Sequence, residues 1–182
     1  MPDHPDADLS AAFRELHGRS LHGFALVLLL GDRAAAAALA GTTLEVVGAD
    51  AARLRHPERA AAALRADLRR RARRARIVRG LSDGQLATLA GLGIGTASAR
   101  ALGSMTLRDR AALISADIER FGEDDVATIL GTSTPQARRA AATARRRFVE
   151  RHPGGDLDAP PAPNSIGARV VAVSQRTMGG RA

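Results

Sequence analysis

Residues 124–148 read "DDVATILGTSTPQARRAAATARRRF", and the chain's architecture is easiest to read there. Glu123, Asp124 and Asp125 stand where the N-terminus of a helix gains from negative charge. Val126, Ile129 and Leu130 then make a short apolar face over two turns, and Gly131 suits the left-handed backbone that ends a helix. Thr132 and Ser133 form a turn, and Pro135 fits the first turn of a second helix, with Ser133 or Thr134 as its cap. Ala127, Ala137 and Ala141 are small at the positions where two crossing helices approach each other. This spacing predicts a helix-turn-helix.

The second helix of such a unit enters the major groove of DNA and presents its N-terminal side chains to base edges. Gln136, Arg138 and Arg139 come first in it, and Gln suits adenine as Arg suits guanine. Arg145, Arg146 and Arg147 follow about two turns later, where cations grip phosphates and set register without reading sequence. The candidate DNA-binding set is therefore Ser133, Thr134, Gln136, Arg138, Arg139, Thr143, Arg145 and Arg146. The competing reading is a charged final helix that faces solvent.

The remaining composition agrees with helices. Hydrophobic residues make up 45% of the 182 residues, yet Trp, Tyr and Cys are absent and only four Phe occur. The core must be built mainly from Ala, Leu, Val and Ile, and alanine favours helix over strand. The expected fold class is all-α. All 27 basic residues are Arg, and the formal charge of +8 suits a polyanionic partner such as DNA, RNA or an acidic surface. Without cysteine there is no disulfide framework and no thiolate metal site, which fits a reducing cytoplasm. The longest apolar run, 24–30, falls far short of the roughly 20 residues that span a bilayer, and the acidic start MPDHPDADLS does not read as a signal peptide.

Working toward the N-terminus, Leu9, Phe13, Leu16, Ser20, Phe24 and Leu28 recur at helical spacing, predicting a helix over about 8–30. Gly31 ends it, and Asp32 caps a second helix with Ala35, Leu39, Thr42 and Val46 on one face, stopping at Gly48. A third helix, 58–79, has Ala61, Leu64, Leu68, Ala72, Ala75 and Val78 on one stripe. Eleven arginines lie from Arg53 to Arg79, readable as a solvated face or as a surface for phosphates or an acidic protein. The glycine-rich stretch 80–104 reads as a linker with short helical pieces, one of them opened by a Ser82–Gln85 capping box. Within it Gly93-Ile94-Gly95 resembles a helix-hairpin-helix turn, with Ala99 packing behind. Thr106 starts a helix with Leu107, Ala111, Ile114 and Ile118 on one side, ending near Gly122. The expected organisation is thus a helical domain over 1–79, a linker over 80–104, a helix-turn-helix domain over 105–152 and a disordered tail over 153–182, in which 168–173 can form a short strand if a partner supplies an edge.

Residues 107–148 resemble region four of the sigma-70 superfamily in its extracytoplasmic-function form. The likeness runs through Leu107-Arg108-Asp109-Arg110, the bend at 119–122, Val126-Ala127-x-Ile-Leu-Gly, Ser133 and Ala144-Arg145-Arg146-Arg147. Residues 13–47 are similar to region two of that family, with Gly31-Asp32-Arg33 and Thr43-Leu44-Glu45-Val46 in order. The resemblance implies a protein that reads promoter DNA with its second domain and docks on core RNA polymerase with its first. An anti-sigma or other regulatory protein is the further partner it implies. This chain departs from the family at 35–38, Ala40 and Gly41, where acidic and amide residues are usual, and has no aromatic residue between Phe24 and Phe121. Opening a duplex uses aromatic platforms for the flipped bases.

His4, His17, His22, His56 and His152 are scattered, and none has a helical partner at metal-ligand spacing. No nucleophile elbow, phosphate loop or paired-carboxylate motif occurs. The expectation is a DNA-binding protein without enzymatic activity, metal, cofactor or membrane partner. Two alternatives stay open: a helix-turn-helix regulator that no longer touches polymerase, and a basic module for an acidic protein or RNA.

Overall fold

The computed structural model describes residues 5–49, 57–74, 80–152 and 169. Among them are eight α-helices and no strand, so the protein is all-α. The expected tail, apart from Arg169, lies outside the described residues, as do 75–79 at the end of the expected third helix.

Helices α1 (Pro5–Leu28) and α2 (Arg33–Gly48) pack against each other across a tight turn. Leu30 and Gly31 both take positive φ there, 56° and 79°. Asp32 caps α2 as expected, its carboxylate accepting from the N–H of Ala35 at 2.9 Å. The face that α2 buries differs from the expected one by a residue: Ala36, Ala40, Thr43 and Gly48 are buried, while Val46 is 51% exposed. Leu16, placed on the apolar stripe of α1, is 67% exposed, and His17 is buried beside it. In so alanine-rich a helix the faces differ little in hydrophobicity, and the neighbour, rather than the pattern, sets the rotation.

Helix α3 (Pro57–Ala72) is buried over most of its circumference, with Leu64, Leu68 and Ala72 inside as the stripe predicts. Two of its arginines are inside too, so the run is not outward throughout, although Arg59, Arg70, Arg73 and Arg74 are exposed as either reading of it expects. Arg65 is 3% and Arg69 8% exposed, because α3 lies between α1 and α2 on one side and α7 (Glu123–Leu130) on the other.

The stretch expected to link two domains forms α4 (Asp83–Gly91) and α5 (Thr96–Gly103). The Ser82–Gln85 capping box opens α4 as expected. Leu89, Ile94, Ala99 and Leu102 are buried in the core cluster. Ser98 Oγ lies 3.0 Å from His152 Nε2, both buried, tying α5 to the chain just beyond the last helix. Gly31 seats the other end: a Cβ on it would lie 2.5 Å from the carbonyl oxygen of Gln85. One continuous set of buried side chains therefore runs from Leu21 to Phe148.

Helix α6 (Leu107–Leu113) starts at Thr106, which accepts from the N–H of Asp109 at 3.1 Å. Leu107, Ala111, Ile114 and Ile118 are buried as the spacing predicts. The helix does not run on to Gly122, however. From Ile114 to Ile118 it widens into a π turn, with the N–H of Glu119 bonded to Ile114 O at 2.8 Å. Ser115 Oγ donates to Ala111 O at 2.6 Å in this bend, a side-chain bond of the kind that loosens a helical ladder.

Candidate nucleic-acid interface

The helix α8 (Thr134–Glu150), with Ser133 in the turn that joins it to α7, carries every candidate residue. Three acids fill the first turn of α7, and Val126, Ala127, Ile129 and Leu130 are buried. Gly131 ends it at φ 61°, ψ 51°, with its own N–H bonded to Thr128 O and that of Thr132 bonded to Ala127 O, at 3.1 and 3.0 Å. This is a Schellman closure, and the left-handed glycine is what permits it.

Helix α8 follows with Pro135 in its first turn. Its buried stripe is Ala137, Ala141, Ala144 and Phe148, spaced four, three and four residues apart, so the small residues meet α6 and α7 as expected. Gln136, Arg138, Arg139 and Arg146 are exposed on the remaining face, and Thr143 and Arg145 are half-buried at its edge.

Ser133 occupies the N-cap position with extended backbone but makes no side-chain capping bond, which corrects its expected role. Thr134 does not cap either. Its hydroxyl donates to Asp124 Oδ1 at 2.7 Å, across to the first turn of α7. The hydroxyl of Thr132 donates to Gln136 Oε1.

The acids of α7 thus have a second task beyond the helix dipole: they hold side chains of α8. Arg138 donates to both oxygens of Glu123, from Nε at 2.8 Å and from Nη2 at 2.5 Å. Those bonds hold the Glu123 carboxyl below its usual range and raise Arg138 above its own. Arg145 donates twice to Asp117 Oδ1 of the π turn, at 3.1 and 2.6 Å, and Arg147 to Asp109 of α6 at 2.5 Å. Arg146 sits 3.7 Å from Glu150. Arg139 has no ion-pair partner among the described residues and stands outward from α8.

The pair of Arg138 with Glu123 is exposed and screened by solvent, so it holds the guanidinium only weakly. Arg138 can therefore exchange Glu123 for another anion at small cost, and Glu123 meanwhile keeps its guanidinium extended. Arg145 is more firmly held, since Asp117 is buried.

The turn between α4 and α5 is less open than its resemblance suggests. The N–H groups of Gly93 and Ile94 are bonded to Ala90 O and Leu89 O at 2.8 and 3.0 Å, so two of the three N–H groups of the turn close α4.

Sequence reasoning counted Arg69 and Arg73 in the arginine run but did not join them to Arg108; the three line a concavity of about 520 Å³ together with Thr132 and Gln136, beside the turn into α8. They lie on α3, just beyond it, and on α6, and only packing brings them together.

Among the described residues no group of His, Asp or Glu converges as metal ligands would, and no helix is long and apolar enough to cross a membrane. No protein-family model matches the chain, and neither does any curated protein or solved structure.

Proposed function

We propose that this protein binds duplex DNA through α8 and acts in transcription as a regulator built on the plan of a sigma factor. The observation that carries the reading is the exposed face of α8. Gln136, Arg138, Arg139 and Arg146 stand on one outward surface, while Ala137, Ala141 and Ala144 fix the helix from behind. Gln136, Arg138 and Arg139 read base edges; Ser133 and Thr134 at the turn, with Thr143, Arg145 and Arg146 further along, track the phosphates.

A second reading keeps DNA binding and omits polymerase, and one observation favours it. A sigma factor uses its two domains on separate surfaces, whereas here α3 packs on α7 and the core runs unbroken between them. Arg65 on α3 is also paired with Glu119, just after the π turn. On this reading the first three helices brace the DNA-binding pair.

Fluorescence anisotropy with a randomised duplex library, at several salt concentrations, tests the shared part. Sequence-selective binding that weakens steeply with salt is expected, and equal affinity for every duplex would overturn it in favour of a non-specific basic module. Retention of core RNA polymerase on the immobilised protein decides between the two readings, and an anti-sigma type partner would compete for that retention.

A further inference from the structure

Among the described residues Arg69 combines burial, the lack of an acid and a place in the wall of an open concavity. It is 8% exposed, and its Nε donates to Ile129 O at 2.8 Å. Among the described residues no carboxylate pairs with it. Arg65 on the same helix has Glu119, and half-buried Arg71 shares Asp67 with the exposed Arg70. Arg110, the other deeply buried arginine, donates to two carbonyls, Leu102 O and Met105 O.

The neighbours of Arg69 make its position worse rather than better. Burial, followed by the charges of Arg73, Arg108 and Arg70, makes its proton easier to lose than that of a free arginine. Arg73 and Arg108 line the same concavity, and no Asp or Glu does. A desolvated cation facing two like charges costs free energy that an anion would recover.

The remaining lining is suited to oxygen ligands. The Thr106 hydroxyl accepts from Asp109 N–H and keeps its own proton for donation, and the Gln136 side-chain amide adds two N–H donors. Gly131 leaves room at the wall, since a Cβ there would lie 3.3 Å from Arg69 Nη2. Guanidinium forks match phosphate oxygens in pairs.

We propose that Arg69, Arg73 and Arg108, with Thr106 and Gln136, form a binding site for a phosphate group, and that the Thr132 hydroxyl, bonded to Gln136 Oε1, orients the Gln136 amide toward it. The phosphate belongs either to a nucleic-acid backbone running past the turn into α8 or to a phosphorylated small molecule, for which about 520 Å³ leaves space. The site stands whether or not α8 reads DNA.

The test uses the full chain, with pyrophosphate as probe and sodium chloride at matched ionic strength as control. Calorimetric titration should show saturable pyrophosphate binding, and the thermal midpoint should rise with pyrophosphate well beyond the chloride control. The double variant Arg73→Ala/Arg108→Ala removes two exposed side chains, so it should fold. It should bind pyrophosphate at least tenfold more weakly, while its midpoint without ligand stays level or rises as repulsion on Arg69 is relieved. Pyrophosphate that stabilises no more than chloride, or that binds the double variant as tightly as the parent, overturns the proposal. Competition by a short duplex would place the phosphate on nucleic acid; its absence would point to a phosphorylated small molecule. Arg139→Ala separates this site from the DNA reading, because it should weaken duplex binding and leave pyrophosphate binding unchanged.

Discussion

Replacing Arg65 by Met should cost this protein about 3–4 kcal/mol of stability, the lower part of the range for breaking a buried ion pair by removing one partner. Nε and Nη2 of Arg65 donate to the two oxygens of Glu119, each at 2.6 Å, and Nη1 donates to Ala61 O at 3.1 Å. Its guanidinium carbon also lies 4.8 Å from the centre of the Phe121 ring and 5.5 Å from that of Phe24. Methionine fills much of the same volume, so the loss is mainly electrostatic. The Glu119 side chain keeps 16% of its exposure and can regain some water, which holds the cost to the lower part of the range. The two cation–π contacts, about 0.5–1 kcal/mol each, fall within that total. Replacing both partners, Arg65→Met with Glu119→Leu, removes the stranded charge and should return to within about 1 kcal/mol of the parent. Urea unfolding followed by circular dichroism measures all three proteins. A loss under about 1 kcal/mol in the single variant, or a double variant no more stable than the single, would refute the reasoning. The same curves test the continuity of the core, since two separately folding halves would give two transitions or a reduced m-value.

Gly31→Ala should destabilise by at least about 2 kcal/mol, because alanine is strained at positive φ and its Cβ would meet Gln85 O. Gly41→Ala, inside α2 with open space around the new methyl, should stabilise by about 0.5–1 kcal/mol in the same urea assay. Arg139→Ala should weaken duplex binding about tenfold or more by anisotropy, whereas Glu123→Gln should tighten it by freeing Arg138 and removing a negative charge from the interface. Burial, and then the charge of Arg65, lower the pKa of His17 below 6.5. The unfolded chain then takes up a proton that the folded one refuses, so His17 contributes stability above pH 6.5 that is lost as pH falls below it. His17→Gln should flatten that slope in thermal melts across the acidic range, and an unchanged slope would exclude His17 as its source.

The parts of the fold legible in the sequence are those set by local chemistry. Asp32 as a cap, the Ser82–Gln85 box, Thr106 at the head of α6 and the left-handed Gly131 all act within a few residues of chain, and each stands where the spacing put it. The buried alanines of α8 were readable for the same reason: their stripe is interrupted by arginines, which gives it contrast.

Tertiary structure decided whatever depended on a distant partner. The face of α2 could not be read because alanine and glycine look alike on every side, and packing against α1 and α3 chose it. An arginine carries the same charge in water or under a helix, so nothing local marked Arg65 or Arg69 as buried. Arg65 is inside because Glu119, 54 residues later, meets it, and Arg69 because Ile129 O, 60 residues later, accepts its proton. Caps and turns are fixed by neighbours in sequence; the burial of a charge is fixed by whatever the fold brings to it, and that is set only when the helices pack.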